Sequence, residues 1–356
     1  MTRRLSLALL ALAGISSAAH AATIDLGPKD HVAVFFSTTD DAVLTTVGHY
    51  LTQTLTRDGY AASDLGAVTL SADGHVVATI KGEAGLRTQA AFQWFLPAGQ
   101  KALYATDAIK KAGGWQSTWS FFLPLGLAMS RNVSVELLHF PPDYSLTSQD
   151  YLNSTTTDRW ASLLVINSAD KDQTPRYQAI TDIDPIAAPA NAGDVFPKGP
   201  YDPYIADMLD HWATAGGQGK PVVAFGAPVQ KYVNALFKTD LKEGDAARVT
   251  LPNGVKIPLF VTEHPSAIYY EARYPDKSEN FKGGMTAMNQ NLTAACWQVT
   301  MAGHPAQDPV TVGQSCKAYW ASQFLPVCEL LETSIYNKKP ADAARICKEK
   351  ESQPAS

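Results

Sequence analysis

Apolar residues in the second half of the chain follow two spacings in turn. Continuous apolar runs, typical of strands buried on both faces, occur at "ASLLVIN" (161–167), "KPVVAFG" (220–226) and "IPLFVTE" (257–263). The segments 202–212 and 228–237 have apolar residues at the spacing of an amphipathic helix. Such alternation predicts parallel strands joined by right-handed crossovers. The predicted fold class is α/β, a three-layer core in which helices cover both faces of a parallel sheet.

The first half of the chain has a less regular pattern. "HVAVFFST" (31–38) is rich in β-branched and aromatic residues and predicts a strand, after which Asp40 caps a helix. Two β-prone segments within 66–80 flank Asp73-Gly74 and predict a hairpin. The beginning of the chain is therefore also predicted to be mixed α/β.

The pattern divides the chain into regions. Residues 22–155 form an N-terminal α/β region, which either is a separate domain or shares one sheet with the parallel core predicted at 156–282. From 283 to 350 the apolar spacing is helical throughout and predicts a helical cap. The polar segment 351–356 is predicted to be a disordered tail.

The first residues have the features of a secretory signal peptide. Arg3 and Arg4 precede an apolar run at 5–15, and "AHA" before residue 22 fits the small-x-small pattern of a cleavage site. The run is shorter than the roughly 20 residues that span a bilayer, and no later run is long enough. The sequence thus predicts a signal peptide at 1–21, a periplasmic or secreted location and no membrane anchor.

Four cysteines occur in the whole chain, and all lie within the predicted cap: Cys296, Cys316, Cys328 and Cys347. In an oxidising compartment an even number favours two disulfides over free buried thiols. A zinc site is disfavoured because no C-x-x-C pair occurs. Three pairings are possible. We expect Cys296 with Cys316 and Cys328 with Cys347, since sequential pairing joins neighbouring helices.

The charge of the chain bears on its partners. Without residues 1–21 it has 27 basic and 34 acidic side chains, a formal net charge of −7, and it has no cluster of four or more Lys and Arg. Nucleic-acid binders usually carry a basic stripe, so a nucleic-acid partner is disfavoured. A small molecule or a protein is the expected partner.

Several catalytic motifs are absent from the sequence. It has no G-x-S-x-G elbow, H-E-x-x-H motif, Walker loop or dinucleotide-binding fingerprint, and we predict no cofactor. Asp170, Asp172, Asp182 and Asp184 do not have the spacing of a calcium loop. No metal site is predicted, and solvated loop acids are the expected role of these residues.

One set of segments resembles the uracil-DNA glycosylase superfamily. The order "LLVIN", "AGDVFPKGPYDPYIADMLD", "VVAFGAPVQKYV" and "FVTEHPSAI" is similar to that family over about residues 160–272. The resemblance implies that Asn167 positions or activates water, that Phe196 stacks on a base, and that His264 steadies charge on the leaving base. It implies the glycosylase-like fold for the parallel core.

Polar and aromatic residues follow the predicted strands. Ligand sites in parallel sheets lie beyond the carboxyl ends of strands, which predicts a site around His264. We expect Asn167 and His264 as catalytic residues and Phe196, Ser266, Tyr269 and Tyr270 as binding residues. Each also has a simpler structural role in a turn or at the edge of the core.

Two functions remain open from the sequence. In the first, the protein is a periplasmic ligand-binding or interaction protein with an enzyme-like fold and a site around His264. In the second, it is a periplasmic hydrolase that cleaves an N- or O-glycosidic bond with Asn167 and His264, since His titrates near neutral pH. The first loop, "NSADKDQTP", lacks the Pro-Gly of the glycosylase family, which favours the first function.

Overall fold

A computed structural model describes most of the second half of the chain and parts of the first. The described residues are 21–36, 38–57, 60–82, 85, 110–111, 120–121, 134–139, 155–168, 178–184, 186–187, 204–212, 219–274 and 276–352. Phe196 and residues 1–20 of the predicted signal peptide lie outside them.

The strands and helices of these residues alternate along the chain, and the C-terminal part is helical. The strands are β1 Ala21–Pro28, β2 Leu65–Leu70, β3 His75–Lys81, β4 Ser120–Phe121, β5 Ser134–Leu138, β6 Gln178–Asp182, β7 Ile186–Ala187, β8 Val222–Phe225, β9 Ala246–Thr250 and β10 Lys256–Thr262. The helices are α1 Lys29–Phe35, α2 Val43–Arg57, α3 Thr155–Asn167, α4 Tyr204–Trp212, α5 Gly226–Phe237, α6 Ala267–Ala272, α7 Phe281–Gly303, α8 Pro309–Ala321, α9 Phe324–Ser334 and α10 Pro340–Glu351.

A five-stranded sheet is the centre of the molecule. Its order is β6-β5-β8-β10-β9, with parallel pairing from β6 to β10 and an antiparallel edge strand, β9. The α/β prediction with a mostly parallel sheet is confirmed. Strand β5, from the region predicted at 22–155, lies between β6 and β8, so the sheet draws strands from both sides of residue 155.

Helices pack on both faces of this sheet. The register places Glu136, Val223 and Phe260 side by side. Phe260 packs against Trp297 of α7 with ring centroids 5.1 Å apart, and Glu136 accepts a hydrogen bond from Gln298 of the same helix. Successive residues of a strand face opposite sides. Helix α5 packs on the same strands, whose alternate residues are fully buried: Val135, Leu137, Val222, Ala224, Leu259 and Val261.

The N-terminal strands form a second sheet of order β1-β3-β2, paired antiparallel. The predicted hairpin is confirmed: β2 and β3 flank Asp73-Gly74, and Gly74 has φ +82, which suits glycine. Buried residues alternate along β1 at Ala22, Ile24 and Leu26. Helices α1 and α2 pack on this sheet.

Two strand predictions are wrong. Residues 161–167 belong to helix α3, whose buried residues Trp160, Leu163 and Leu164 have helical spacing. A mostly apolar run of seven residues is too short to separate a buried strand from a buried helix by periodicity. Residues 31–35 are helical, and the strand lies earlier, at Ala21–Pro28.

The C-terminal region is helical and carries two disulfides, as predicted. Cys296–Cys316 joins α7 to α8, and Cys328–Cys347 joins α9 to α10. The sequential pairing is confirmed. Across the described ranges, no helix is both long enough and apolar enough to cross a membrane.

Candidate functional site

The carboxyl ends of the central parallel strands meet at one edge of the sheet. From β5 the chain continues to β6 on one side, and from β8 it continues to β10 on the other. Adjacent strands whose connections diverge in this way mark the usual ligand crevice of open α/β sheets. His139, Gly226 and His264 follow β5, β8 and β10 at this edge.

Gly226 allows the end of β8 to approach the end of β10. Its φ is +81, a conformation that side chains disfavour, and a Cβ added there lies 3.6 Å from the Cβ of His264. Helix α5 begins at Gly226, and its N-cap residue, Phe225, provides no side-chain hydrogen bond. The first turn of α5 therefore faces the edge without a side-chain acceptor from its cap.

The ring of His264 is fixed by the turn that follows it. The Ser266 N–H donates to Nδ1 at 3.2 Å, and Ser266 Oγ lies 2.6 Å from the same nitrogen. Because a backbone N–H only donates, Nδ1 holds a lone pair and the neutral ring carries its proton on Nε2. Within the described residues, Nε2 has no hydrogen-bond acceptor.

The surroundings of His264 keep it uncharged near neutral pH. Burial, followed by the nearby charges of Arg159 and His139, lowers the pKa of His264 from 6.5 to about 4. Burial also lowers the pKa of His139. Three basic side chains from different elements thus converge at this edge.

Arg159, in helix α3, contributes a guanidinium beside His264. Its Nη1 donates to Pro265 O at 3.3 Å. Burial lowers the pKa of Arg159, and the nearby Tyr270 offsets part of this effect, but an arginine remains charged at neutral pH. Among the residues that the structure describes, no carboxylate lies at ion-pair distance from Arg159. A partly buried guanidinium without a counter-ion is energetically unfavourable.

A buried polar network fixes α3 against the sheet. Glu136 is 2% exposed and accepts hydrogen bonds from Trp160 Nε1 and Gln298 Nε2, both at 2.8 Å. The ring of Trp160 packs edge-on against Phe225, with centroids 4.6 Å apart. These contacts hold the residue next to Arg159 and thereby set where its guanidinium lies.

The binding residues predicted around α6 lie close together. Ser266 is the N-cap residue of α6, and Tyr269 and Tyr270 are in its first turn. The two tyrosine rings touch edge to face with centroids 5.7 Å apart. Both are exposed, and Tyr270 is 69% exposed. Their binding role stays a prediction.

The sequence predicted that Asn167 lies at the end of a strand, and this prediction is wrong. Asn167 is the last residue of α3, where its Nδ2 donates to Leu163 O at 2.8 Å and its Oδ1 accepts from Trp320 Nε1 at 3.0 Å. The neighbouring side chains Ile166 and Trp320 line a groove of about 340 Å³ between α3 and the C-terminal helices. No contact in the described structure joins Asn167 to His264, and its catalytic role stays a prediction.

Sequence reasoning missed Arg159, His139 and Glu136. Arg159 precedes a run that was predicted as a strand, so the sequence did not indicate which way its side chain points. Glu136 did carry a signal, because a charged residue within a buried strand needs a partner.

Neither a metal site nor a relative identifies the edge. The described residues contain no group of three or more His, Cys, Asp or Glu side chains that could hold a metal ion. The assignment of a function therefore depends on the geometry around His264 and Arg159. Compared with known protein families and with curated proteins, the chain has no match.

Proposed function

We propose that this protein binds a small molecule bearing an oxyanion, a carboxylate or a phosphate, at the carboxyl edge of the five-stranded sheet. The observation that carries the proposal is that, among the described residues, Arg159 has no carboxylate partner and the Nε2–H of His264 has no acceptor. Burying such donors is costly unless a partner satisfies them. A ligand oxyanion satisfies both.

Further features of the edge support an oxyanion. The His264 Nε2–H is a neutral donor that suits an anionic oxygen, while Arg159 supplies a full positive charge and a planar fork that matches carboxylate and phosphate. The N-terminus of α5 begins at the same edge, and the positive end of a helix favours anions. His139 adds a third basic group nearby.

The geometry supports binding more than hydrolysis. A general acid or base works best when its pKa lies near the working pH, and the pKa of His264 is about 4. Both polar side-chain atoms of Asn167 already bond within the protein. The resemblance to uracil-DNA glycosylases includes the same His-Pro-Ser turn. Cleavage of a glycosidic bond also needs a group that positions water, and none of the described residues supplies one beside His264.

We also propose that the protein is exported. The N-terminal signal pattern and two disulfides support a periplasmic or secreted location, because disulfides persist in oxidising compartments. A protein partner is the other expectation from the sequence, and no contact favours it over a small molecule.

Isothermal titration calorimetry with inorganic phosphate and with acetate tests the proposal. We expect the wild-type chain to bind at least one of them, and Arg159→Gln to weaken that binding at least tenfold, since a charge-assisted hydrogen bond is lost. Arg345→Gln is the matched control, because Arg345 is an exposed arginine of α10 paired with Glu349. Failure of both anions to bind, or equal binding by Arg159→Gln, contradicts the proposal.

A further inference from the structure

Four side chains form a continuous stack from the C-terminal cap to the rim of the site. The Arg273 guanidinium lies over the rings of both Tyr336 and Tyr269, 5.5 Å from each centroid. Tyr269 in turn contacts Tyr270 edge to face, with an interplanar angle of 83°. Cation–π and edge-to-face contacts of this kind orient the rings that take part.

The cap holds the base of this stack from two directions. Arg273 Nη2 donates to Ile335 O at 2.9 Å, and Tyr336 Oη donates to Ala272 O at 2.9 Å. Both Ile335 and Tyr336 follow helix α9, which the Cys328–Cys347 disulfide joins to α10. Tyr269 therefore stands on a support that is itself covalently stapled.

The outer end of the stack lies at the oxyanion site. The Tyr270 N–H bonds to Ser266 O, and Ala267 N–H bonds to His264 O, so Tyr270 is within two helical turns of His264. Arg159 bonds to Pro265 in the same turn. Burial lowers the pKa of Arg159, and the nearby Tyr270 offsets part of this decrease. An exposed ring, held from one side, thus stands next to the two donors.

We propose that the bound molecule carries a ring with an apolar face next to its oxyanion, that Tyr270 stacks on this ring, and that Arg273 is a positioning residue for Tyr270. The inference rests on the proposed oxyanion site and adds the class of molecule that it takes. Aromatic rings and the C–H faces of sugars share this chemistry. Tyrosine suits the task, because it offers a large ring with few rotatable bonds.

The test compares affinities for inorganic phosphate, phenyl phosphate and glucose 6-phosphate, measured by titration calorimetry on the full chain. We expect at least one ring-bearing ester to bind about fivefold to tenfold more tightly than inorganic phosphate, the range for a favourable ring contact. A preference for phenyl phosphate identifies an aromatic ring, and a preference for glucose 6-phosphate identifies a sugar.

Variants of the stacked residues test whether the stack causes the preference for ring-bearing esters over inorganic phosphate. Tyr270→Ala should bring the affinity ratio of ester to phosphate to about one, whereas Tyr270→Phe should keep it. Tyr274→Ala is the matched control, because Tyr274 is another exposed tyrosine four residues away and belongs to no ring contact of the described structure. Arg273→Gln should lower the ratio, and Arg273→Lys should restore part of it by returning a cation to the two rings.

The outcomes separate the two proposals. A wild-type chain that binds phosphate with an ester ratio of about one contradicts the ring while leaving the oxyanion site. A chain that binds neither phosphate nor the esters contradicts both. A ratio that survives Tyr270→Ala, or that Tyr274→Ala abolishes, contradicts the placement of the ring on Tyr270.

Discussion

The C-terminal cap and the carboxyl edge of the sheet treat buried charge in opposite ways. In the cap, the Glu332 carboxylate is 1% exposed and pairs with Lys350 at 2.8 Å. Lys350 also lies over the ring of Phe281 at 3.5 Å. At the sheet edge, Arg159 and the Nε2–H of His264 have no such partner among the described residues.

Helix starts do not divide between the two regions in the same way. Helix α7 begins with Asn280, whose side chain accepts from Gly283 N–H, and α8 begins with Asp308, whose side chain accepts from Thr311 N–H. Helix α5, at the edge, has no side-chain cap, and neither have α9 and α10 in the C-terminal region. The pairing of charged side chains, and not helix capping, therefore distinguishes the sheet edge from the cap.

The largest expected effect is in the cap and concerns its covalent support. Replacing both Cys328 and Cys347 by alanine removes a bridge that closes a loop of about 20 residues, and we expect the free energy of unfolding to fall by about 3 kcal/mol. Urea denaturation measures this loss. The Cys296–Cys316 bridge has nearly the same sequence separation, 20 against 19, and provides the comparison. A loss below about 1 kcal/mol contradicts the stapling role.

The second largest effect is a difference in stability between removing Lys350 from the cap and removing Arg159 from the sheet edge. Lys350→Met leaves the Glu332 carboxylate buried without its partner, and we expect a loss of about 2 kcal/mol, below the full range for buried pairs because Lys350 is partly exposed. Arg159→Met removes a cation without a counter-ion and should change stability by less than about 0.5 kcal/mol. Lys348→Met, at an exposed lysine of the same helix as Lys350, is the control. Equal losses for Lys350→Met and Arg159→Met break the comparison.

A smaller effect depends on pH. The pKa of His264 is about 4 in the folded chain and 6.5 in the unfolded chain. As pH falls, the unfolded chain therefore binds the proton first. Stability is therefore lost as pH falls from about 6.5 to about 4. Between pH 7 and pH 5.5 we expect His264 to account for about 1 kcal/mol of this loss.

The measurement is the difference between the wild-type chain and His264→Asn in urea denaturation at the two pH values. Asparagine keeps a side-chain acceptor for Ser266 N–H but does not titrate. His304→Asn, at an exposed histidine, is the control, and the comparison cancels the titration of His139. Saturation with a bound anion should reduce the pH dependence. Identical pH profiles for the wild-type and His264→Asn chains contradict the buried, neutral imidazole.

The smallest effect concerns the helix caps. Asn280→Ala removes the acceptor for Gly283 N–H, a bond of 3.2 Å, and we expect a loss of about 0.5 kcal/mol, the lower end of the range for caps. Thermal or urea denaturation resolves this value if the variants are measured in parallel. Thr286→Ala, at an exposed residue about one and a half turns into the same helix, controls for a change of side chain without a cap. A loss no larger than that of Thr286→Ala shows that water replaces the Asn280 side chain without cost.

The sequence predicted the elements whose pattern is long or bounded by strong signals. Strands β8 and β10 were found because each is an apolar run followed by a helix start or a proline, and the hairpin was found from Asp73-Gly74. Edge strand β9, with the short sequence "AARVT", gave no run to recognise. Helix α3 was mistaken for a strand because its polar first turns, "TTTDR", hid the helical period of the apolar residues that follow.

The sequence predicted only the part of the site whose residues are close together along the chain. His264, Ser266 and Tyr270 are close in sequence, so local chemistry brings them together. Arg159 reaches them across 106 residues through its bond to Pro265, and Glu136 reaches Gln298 across 162. No local pattern encodes contacts of this separation, which depend on the packing of α3 and α7 on the sheet.

The bond between Gln298 and Glu136 also has a consequence for the order of folding. Helix α7, late in the chain, covers the face of the sheet that contains Phe260 and Glu136. A chain that ends at residue 282 leaves this face open to water and leaves Glu136 without one of its donors. Contacts between residues so far apart in sequence slow folding. We therefore expect the central strands to gain their full stability only when the cysteine-containing helices are present to cover this face.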